Sequence, residues 1–248
     1  MSPWYETAFG TDYLDRYPHR DEEEARRDVS AIVRLIDPPK DEPVLDLGCG
    51  AGRHLLALHE AGYSNLVGID LSADLIEIAR KRLTEAGAPD VELICRDMRE
   101  IPHADHFGTI LSMFTTFGYF PTDEEDASVV RAAGRALRAG GQLLIDTIAR
   151  EKTIAELVPS EKRRDGDVVS RIRRTITPDG LRVEKEIWID DPDGPLARRE
   201  SVRLYRPEEL IAMFERAGLE DVRAFGSLGG EPTAPDSPRL VIVGRKPQ

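Results

Sequence analysis

Hydrophobic residues between positions 43 and 146 fall into short runs, which are separated by longer segments with apolar residues at helical spacing. Such an order predicts parallel strands joined by helices and argues against an antiparallel sandwich. The predicted strands cover residues 44–47, 66–69, 91–95, 109–113 and 142–145. We therefore expect an open α/β sheet that binds any ligand at the carboxyl ends of its strands.

Two of the intervening helices have recognisable ends. Ser72 is a candidate N-cap, and Gly87 follows the apolar stripe of that helix. Thr122 and Glu125 have the spacing of a capping box, and the stripe that follows them is predicted to include Leu137. Each helix therefore presents one apolar face for burial.

The pattern changes between residues 165 and 205, where apolar and polar positions alternate with a period of two. The three predicted strands are residues 168–176, 181–189 and 196–204, with Pro-Asp-Gly turns between them. This predicts a three-stranded antiparallel insertion. The earlier pattern resumes with a helix that begins at Pro207 and with strands near residues 221–225 and 239–243.

A glycine-rich turn follows the first predicted strand. Gly48, Gly50 and Gly52 occupy alternate positions, and Asp70 lies eighteen residues after Gly52, at the tip of the next strand. Glycines allow a ligand to approach the backbone, and such an acid accepts hydrogen bonds from ribose hydroxyls. The dinucleotide fingerprint G-x-G-x-x-G would place its last glycine or alanine at position 53, which is Arg53 here. A tight turn without a ligand is the structural alternative.

The amino-acid composition argues against several kinds of binding partner. The 248 residues carry a formal net charge of −12, which argues against a nucleic-acid partner, because such affinity depends on Lys and Arg. The two cysteines, Cys49 and Cys95, have neither a metal spacing nor a disulfide framework. No apolar run is long enough to span a bilayer, and no secretory leader is recognisable. We expect a cytoplasmic protein without a metal, a membrane or a nucleic-acid partner.

The G-x-G-x-G spacing, with Asp46 inside the strand and Asp70 after the next one, resembles class I S-adenosylmethionine-dependent methyltransferases. The resemblance implies a Rossmann-like fold whose seven-stranded, mostly parallel sheet has an antiparallel last strand. It also implies S-adenosylmethionine as the cofactor. The cofactor-binding residues that it implies are Arg20, Asp46, Gly48, Cys49, Gly50, Gly52, Asp70, Leu71, Asp97, Met98 and Met113.

The resemblance assigns a part of the cofactor to each strand end. The glycine turn would line the methionine portion, with Asp46 holding the turn or reaching the amino group through water. Asp70 would bind the ribose, and Leu71 would pack beside the adenine. Asp97 would accept from the adenine amino group and Met98 would donate a backbone N–H to the ring, although Asp97 could simply cap the following helix.

Residues 13–20, YLDRYPHR, resemble the N-terminal helix of small-molecule N-methyltransferases of the lincosamide type and, more distantly, of glycine and sarcosine methyltransferases. The resemblance also covers residues 53–54, 113–120 and 237–241. It implies that Arg20 pairs with the cofactor carboxylate. Because tyrosine hydroxyls can orient an amine acceptor, Tyr13 and Tyr17 are the candidates for that role, and we expect Phe117 to lie near the transferring methyl group. Met113 would run under the methionine chain.

Aromatic residues form two groups, one before the first strand and one after the fourth. They are Trp4, Tyr5, Phe9, Tyr13 and Tyr17, and then Phe114, Phe117, Tyr119 and Phe120. Their grouping suggests a lid and a floor, with a staple that docks a terminal helix as the alternative. We expect three regions: a helical lid (1–40), a cofactor domain (41–160 and 206–248) and an antiparallel β insertion (161–205), which roofs the acceptor pocket or forms a dimer face.

The expected activity is methyl transfer to a small molecule at an amine nitrogen, by in-line displacement that depends on proximity and on exclusion of water. An O-methyltransferase and a non-catalytic S-adenosylmethionine-binding protein are the alternatives. The acidic composition argues against an RNA or protein substrate. Whether the chain forms a homo-oligomer is left open.

Overall fold

The computed structural model describes residues 3–10, 21–165, 168–190 and 196–248, which form one seven-stranded and one four-stranded sheet. Within these ranges, no helix combines the length and the apolar character needed to cross a membrane.

The seven-stranded sheet follows the parallel pattern of the sequence. Its strands are β1 (Val44–Leu47), β2 (Leu66–Asp70), β3 (Glu92–Cys95), β4 (Phe107–Ser112), β5 (Leu137–Ile148), β10 (Glu220–Phe225) and β11 (Arg239–Arg245). Their order is β10-β11-β5-β4-β1-β2-β3, and β11 runs antiparallel to both of its neighbours while the others are parallel to one another. The expected fold class is confirmed, and the strand order reverses beside β1, where open α/β sheets bind ligands.

Helices cover both faces of this sheet. The described helices are α1 (Trp4–Thr7), α2 (Glu22–Ile36), α3 (Arg53–Glu60), α4 (Ala73–Glu85), α5 (Asp123–Ala136), α6 (Arg150–Ala155) and α7 (Pro207–Arg216). Helices α5 and α7 share one buried cluster with the sheet, and α2, α3 and α4 share the other. Because Ala25, Val29 and Ile32 of α2 are buried in that second cluster, α2 belongs to the layered core.

The capping signals in the sequence match the structure. Ser72 accepts a hydrogen bond from Leu75 N–H at the start of α4, and Thr122 and Glu125 form the capping box of α5. The predicted end of this helix was wrong: α5 ends at Ala136, and Leu137 begins β5 opposite Phe107. Leu137 is fully buried in either arrangement, so its hydrophobicity does not distinguish a helix end from a strand start.

The insertion forms the second sheet. Its strands are β6 (Ser160–Asp165), β7 (Val168–Ile176), β8 (Arg182–Asp190) and β9 (Leu196–Arg203), all antiparallel in sequential order. The sequence predicts three of these strands. It misses β6, whose sequence SEKRRD has no apolar alternation and which adds to the sheet edge through backbone pairing with β7.

Candidate active site

A cleft opens at the carboxyl ends of β1, β2 and β3, and the segment after β4 forms its far side. It encloses roughly 660 Å3, open solvent included. The lining residues are Tyr5, Phe9, Gly48, Gly50, Ile69, Asp70, Leu71, Leu75, Arg96, Asp97, Met98, Thr116, Tyr119 and Phe120. The cleft therefore brings together the glycine turn, the acids at the ends of β2 and β3, and two residues from each aromatic group.

The three glycines of the turn have positive φ angles but meet different surroundings. A Cβ on Gly48 would lie 2.9 Å from the Thr116 side chain, and one on Gly52 would lie 3.0 Å from Ala79 Cβ. A Cβ on Gly50 would meet only Leu75, at 3.9 Å, so it would project into free space at the cleft. Gly50 is therefore the position that leaves room for a ligand, while Gly48 and Gly52 allow close packing within the protein.

Asp70 fixes the turn from the tip of β2. One carboxylate oxygen accepts a hydrogen bond from Gly50 N–H at 2.8 Å, and the other accepts from Ser72 N–H at 2.8 Å. Burial raises the pKa of Asp70, and these backbone hydrogen bonds act in the opposite direction. Each oxygen keeps further acceptor capacity, so the carboxylate can bind two hydroxyl groups and still hold the turn.

Asp97, Met98 and Leu71 lie at the other end of the cleft. Leu71 is 40% exposed, an apolar surface that a flat ring could cover. Both Asp97 oxygens accept from the Arg99 guanidinium, at 3.0 and 2.7 Å, and Arg99 N–H donates to Asp97 at 2.8 Å. The Arg99 guanidinium also lies over the Phe120 ring, 4.2 Å from its centroid. Arg99 therefore orients the carboxylate, a role that sequence reasoning missed.

Asp46 is buried beneath the turn, and neither of its carboxylate oxygens has a hydrogen-bond partner among the described residues. Burial raises its pKa to about 6, against the opposing charges of His54 and Arg53. The structure corrects the expectation that Asp46 holds the turn, because Asp70 holds it. A buried acceptor without a partner requires a donor, and the cofactor amino group, directly or through water, has that chemistry.

Met113 is 2% exposed and lies in the core cluster of α2 and α3, while the next residues bend the backbone. Phe114 and Thr115 have φ angles of 57° and 65°, a left-handed conformation that costs free energy in residues with a Cβ. Asp146 stabilises it by accepting from Phe114 N–H at 3.2 Å through its carboxylate and from Thr115 N–H at 3.0 Å through its carbonyl.

Two guanidinium groups contact the Phe114 ring. Those of Arg53 and Arg239 lie 4.6 and 5.4 Å from its centroid. Arg239 also bonds Asp146 at 2.7 Å and Asp28 at 3.2 Å. This buried charge network connects α2, β5 and β11 behind the glycine turn.

Described members of the two aromatic groups pack against each other at the cleft. Trp4 contacts the Tyr119 ring with centroids 4.9 Å apart, and Tyr5 contacts the Phe120 ring at 5.2 Å. The Phe9 and Tyr119 rings stack at 5.5 Å with an interplanar angle of 16°. We call these five residues the aromatic wall.

Several expected site residues lie elsewhere. Phe117 is 1% exposed and packs 5.7 Å from the Tyr205 ring in the core, so the structure brings Tyr119 and Phe120 to the cleft in its place. Cys49 is buried, and its N–H donates to Ile69 O at 3.0 Å. Gly52 begins α3 outside the cleft lining. Tyr13, Tyr17 and Arg20 lie outside the described residues, and their roles stay predictions.

The sheet is Rossmann-like, and at its switch point lie the glycine turn, the Asp70 carboxylate that holds it and the buried Asp46 carboxylate without a partner among the described residues. This combination is typical of the class of S-adenosylmethionine-binding methyltransferases. The family model of the methyltransferase domain matches residues 44–141. A dTDP-3-amino-3,4,6-trideoxy-alpha-D-glucopyranose N,N-dimethyltransferase of Streptomyces venezuelae is 30% identical over 196 residues, which cover 78% of this chain and 77% of that protein. The chain belongs to the methyltransferase family and is an S-adenosylmethionine-dependent enzyme.

Two further proteins are similar to this chain. The cypemycin N-terminal methyltransferase of a Streptomyces species is 28% identical over 218 residues, which cover 86% of each chain. The solved structure of an S-adenosylmethionine-dependent methyltransferase from Clostridium acetobutylicum ATCC 824 superposes with a TM-score of 0.79. It is 16% identical and covers 96% of both chains, which shows that the fold is shared along the whole chain.

Proposed function

We propose that this enzyme methylates an amine nitrogen on a small molecule of the amino-sugar type. The observation that carries the proposal is the aromatic wall, which faces the Asp70 turn across one cleft. The Streptomyces venezuelae relative is named for dimethylation of an amino sugar, and the cypemycin enzyme is named for an N-terminal amine. A nitrogen acceptor is the feature that these two relatives share.

The cofactor supplies an electrophilic methyl group on a sulfonium when it is bound. The residues of this chain then have three tasks: Asp70 and Gly50 hold the ribose and the methionine portion, Leu71 and Met98 cover the adenine, and the aromatic wall excludes water. Aromatic faces also attract cations, which suits both a sulfonium and an ammonium-bearing acceptor.

The cleft favours an amine over a hydroxyl acceptor. A neutral amine attacks through its own lone pair, whereas a hydroxyl needs a base to accept its proton. Among the described cleft residues the carboxylates are Asp70, which holds two backbone N–H groups, and Asp97, which is paired with Arg99. Desolvation raises the pKa of Tyr5, so its hydroxyl stays protonated and serves as a hydrogen-bond partner. No uncommitted carboxylate or imidazole lines the described part of the cleft.

The test is a turnover assay with S-adenosylmethionine and matched acceptors. The amine probe is dTDP-3-amino-3,4,6-trideoxy-α-D-glucopyranose, and the control is the same nucleotide sugar with a hydroxyl at C3. Mass spectrometry of the acceptor and release of S-adenosylhomocysteine are both recorded. We expect one or two added methyl groups on the amine and none on the hydroxyl sugar.

A wider panel separates the recognition of the amine from that of the rest of the acceptor. It contains the free amino sugar without the nucleotide and a short peptide with a free N-terminus. Methylation of the hydroxyl sugar in preference to every amine would overturn the proposal. Binding of S-adenosylhomocysteine without turnover of any amine would identify a cofactor-binding protein instead.

A further inference from the structure

One arginine of the insertion contacts the segment that forms the far side of the cleft. Arg182, the first residue of β8, donates from Nη2 to Gly118 O at 3.0 Å and from Nη1 to Phe120 O at 3.0 Å. Nη2 also lies 3.4 Å from Tyr119 O. One guanidinium therefore contacts three consecutive backbone carbonyls, which belong to residues 118–120. We call residues 118–120 the wall loop.

The guanidinium is itself held in place by the neighbouring strand. Its Nε donates to Ser201 Oγ at 2.8 Å, and Nη2 donates to Ser201 O at 2.9 Å. Arginine presents its donors in a rigid planar fork, whereas lysine is a flexible point charge and glutamine has two N–H donors. The contacts with the loop and with Ser201 thus depend on the shape of the arginine as well as on its charge.

Two other groups hold the wall loop. Arg203 N–H donates to Gly118 O at 2.8 Å, and Gly118 has a φ of 92° with the Arg203 backbone 3.3 Å from where its Cβ would be. From the opposite side, Asp126 of α5 accepts from Phe120 N–H at 3.4 Å. The loop therefore lies between α5 and the insertion, and its backbone is bonded to both.

The side chains of this loop form the cleft side of the aromatic wall. Tyr119 contacts Trp4 and Phe9, and Phe120 contacts Tyr5 and the Arg99 guanidinium. A shift of the loop backbone would move both rings and would open the place where the acceptor enters. The hydrogen bonds by which Asp70 holds Gly50 and Ser72 do not involve this loop.

We propose that Arg182 is a positioning residue for acceptor binding, which fixes the wall loop and thereby the aromatic wall. The amine part of this inference rests on the proposed function. The positioning part does not, because it concerns the geometry of the free enzyme. Arg182 itself does not line the cleft, so its effect on the acceptor is transmitted through Tyr119 and Phe120.

The sequence offers a spectroscopic reporter of the wall. The chain has two tryptophans, Trp4 in the wall and Trp188 in the insertion, where it is 41% exposed. In the Trp188→Phe protein, fluorescence reports Trp4 alone. We expect Arg182→Gln in that background to shift Trp4 emission to the red and to raise acrylamide quenching about twofold, because Trp4 loses its packing against Tyr119.

Kinetics on the amine probe supply the second readout. We expect Arg182→Gln to raise the KM for the amine by about tenfold while the Kd for S-adenosylhomocysteine changes by less than about threefold. Arg182→Lys should restore only part of this loss, since it keeps the charge without the planar fork. Arg199→Gln is the matched control, because Arg199 is an exposed arginine of the same sheet that pairs with Glu184.

The outcomes separate positioning from a general structural role. A lower Tm in Arg182→Gln, with Trp4 quenching and amine KM both within about twofold of the parent, would overturn the proposal. If Arg182→Gln does not fold, Arg182→Lys and Gly118→Ala disturb the same junction and are read by the same two signals. If no amine is methylated by the parent, the proposed function fails, and Trp4 quenching still decides the positioning role.

Discussion

Relative to the wild type, the Asp46→Asn protein should gain stability as the pH rises from acidic to neutral. The same substitution should weaken cofactor binding. The Asp46 carboxylate is 1% exposed and has no hydrogen-bond partner among the described residues, so its charge is costly to bury. Asparagine keeps nearly the same shape without the charge. The two side chains therefore differ mainly in an ionisation that depends on pH.

The size of the effect follows from the pKa. The Asp46 pKa rises from 3.8 to about 6 on folding, a difference of roughly 2 pH units, which corresponds to about 3 kcal/mol. Because the folded state keeps the proton across this range, the stability of the wild type falls as pH rises from about 4 to about 6. Between about pH 4.5 and pH 8, the stability of Asp46→Asn relative to wild type should rise by about 2 kcal/mol.

The assay is urea unfolding of both proteins at several pH values, followed by circular dichroism. If the amide packs less well than the carboxyl group, it lowers the unfolding free energy of the variant by the same amount at every pH. The test therefore uses only how the difference in unfolding free energy between the two proteins changes with pH. Asp41→Asn, at an exposed carboxylate, is the control. Calorimetry at neutral pH should show weaker S-adenosylhomocysteine binding, since the amide keeps one acceptor oxygen but lacks the negative charge that would attract the cofactor amino group. If the difference in unfolding free energy between the two proteins varies by less than about 0.5 kcal/mol across the pH range, the reasoning is refuted.

Four further substitutions test the turn and the charge network, and Arg26→Gln serves as a control. Asp70→Asn should raise the Kd for S-adenosylhomocysteine by roughly 30- to 1,000-fold, or about 2–4 kcal/mol, because the charge of the hydrogen-bonding carboxylate is lost. Calorimetry measures this Kd, and an unchanged value would contradict the proposed ribose-binding role. Gly50→Ala should mainly weaken S-adenosylhomocysteine binding, because its methyl group projects into the cleft. Gly48→Ala should mainly lower the Tm, because its methyl group overlaps a threonine side chain. The opposite assignment of the two effects would contradict our account of the turn. Arg239→Gln should cost about 3 kcal/mol in denaturant unfolding, because the buried carboxylates of Asp146 and Asp28 lose the guanidinium that pairs with both. The exposed pair removed by Arg26→Gln should change stability little, so similar losses would count against a buried network.

The backbone pattern could be predicted where one face of each element is buried. The bounds of β1 and β7 match the sequence interpretation residue for residue, and the caps at Ser72 and Thr122 lie where the spacing put them. These features depend on contacts between near neighbours, which a sequence records directly. Strand β6 depends on pairing with β7 and carries no local hydrophobic signal, so it was missed.

The candidate site could be predicted in part for the same reason. Asp70, Leu71 and Asp97 meet because parallel strands end at one edge of a sheet. The direction of Phe117 could not be predicted, because Phe114 and Thr115 bend the chain in a conformation that their residue types do not indicate. The function of Arg182 could not be predicted either, since the wall-loop carbonyls that it contacts lie more than sixty positions away in sequence.

The attachment of the wall loop to the insertion has a consequence for protein engineering. An experimenter who transplants the four-stranded sheet from a related enzyme, hoping to transfer its choice of acceptor, would separate Arg182 and Arg203 from the carbonyls that they hold. Such chimeras should fail unless residues 118–120 are exchanged together with the donor sheet. Residues 118–120 and the four-stranded sheet therefore have to be exchanged together.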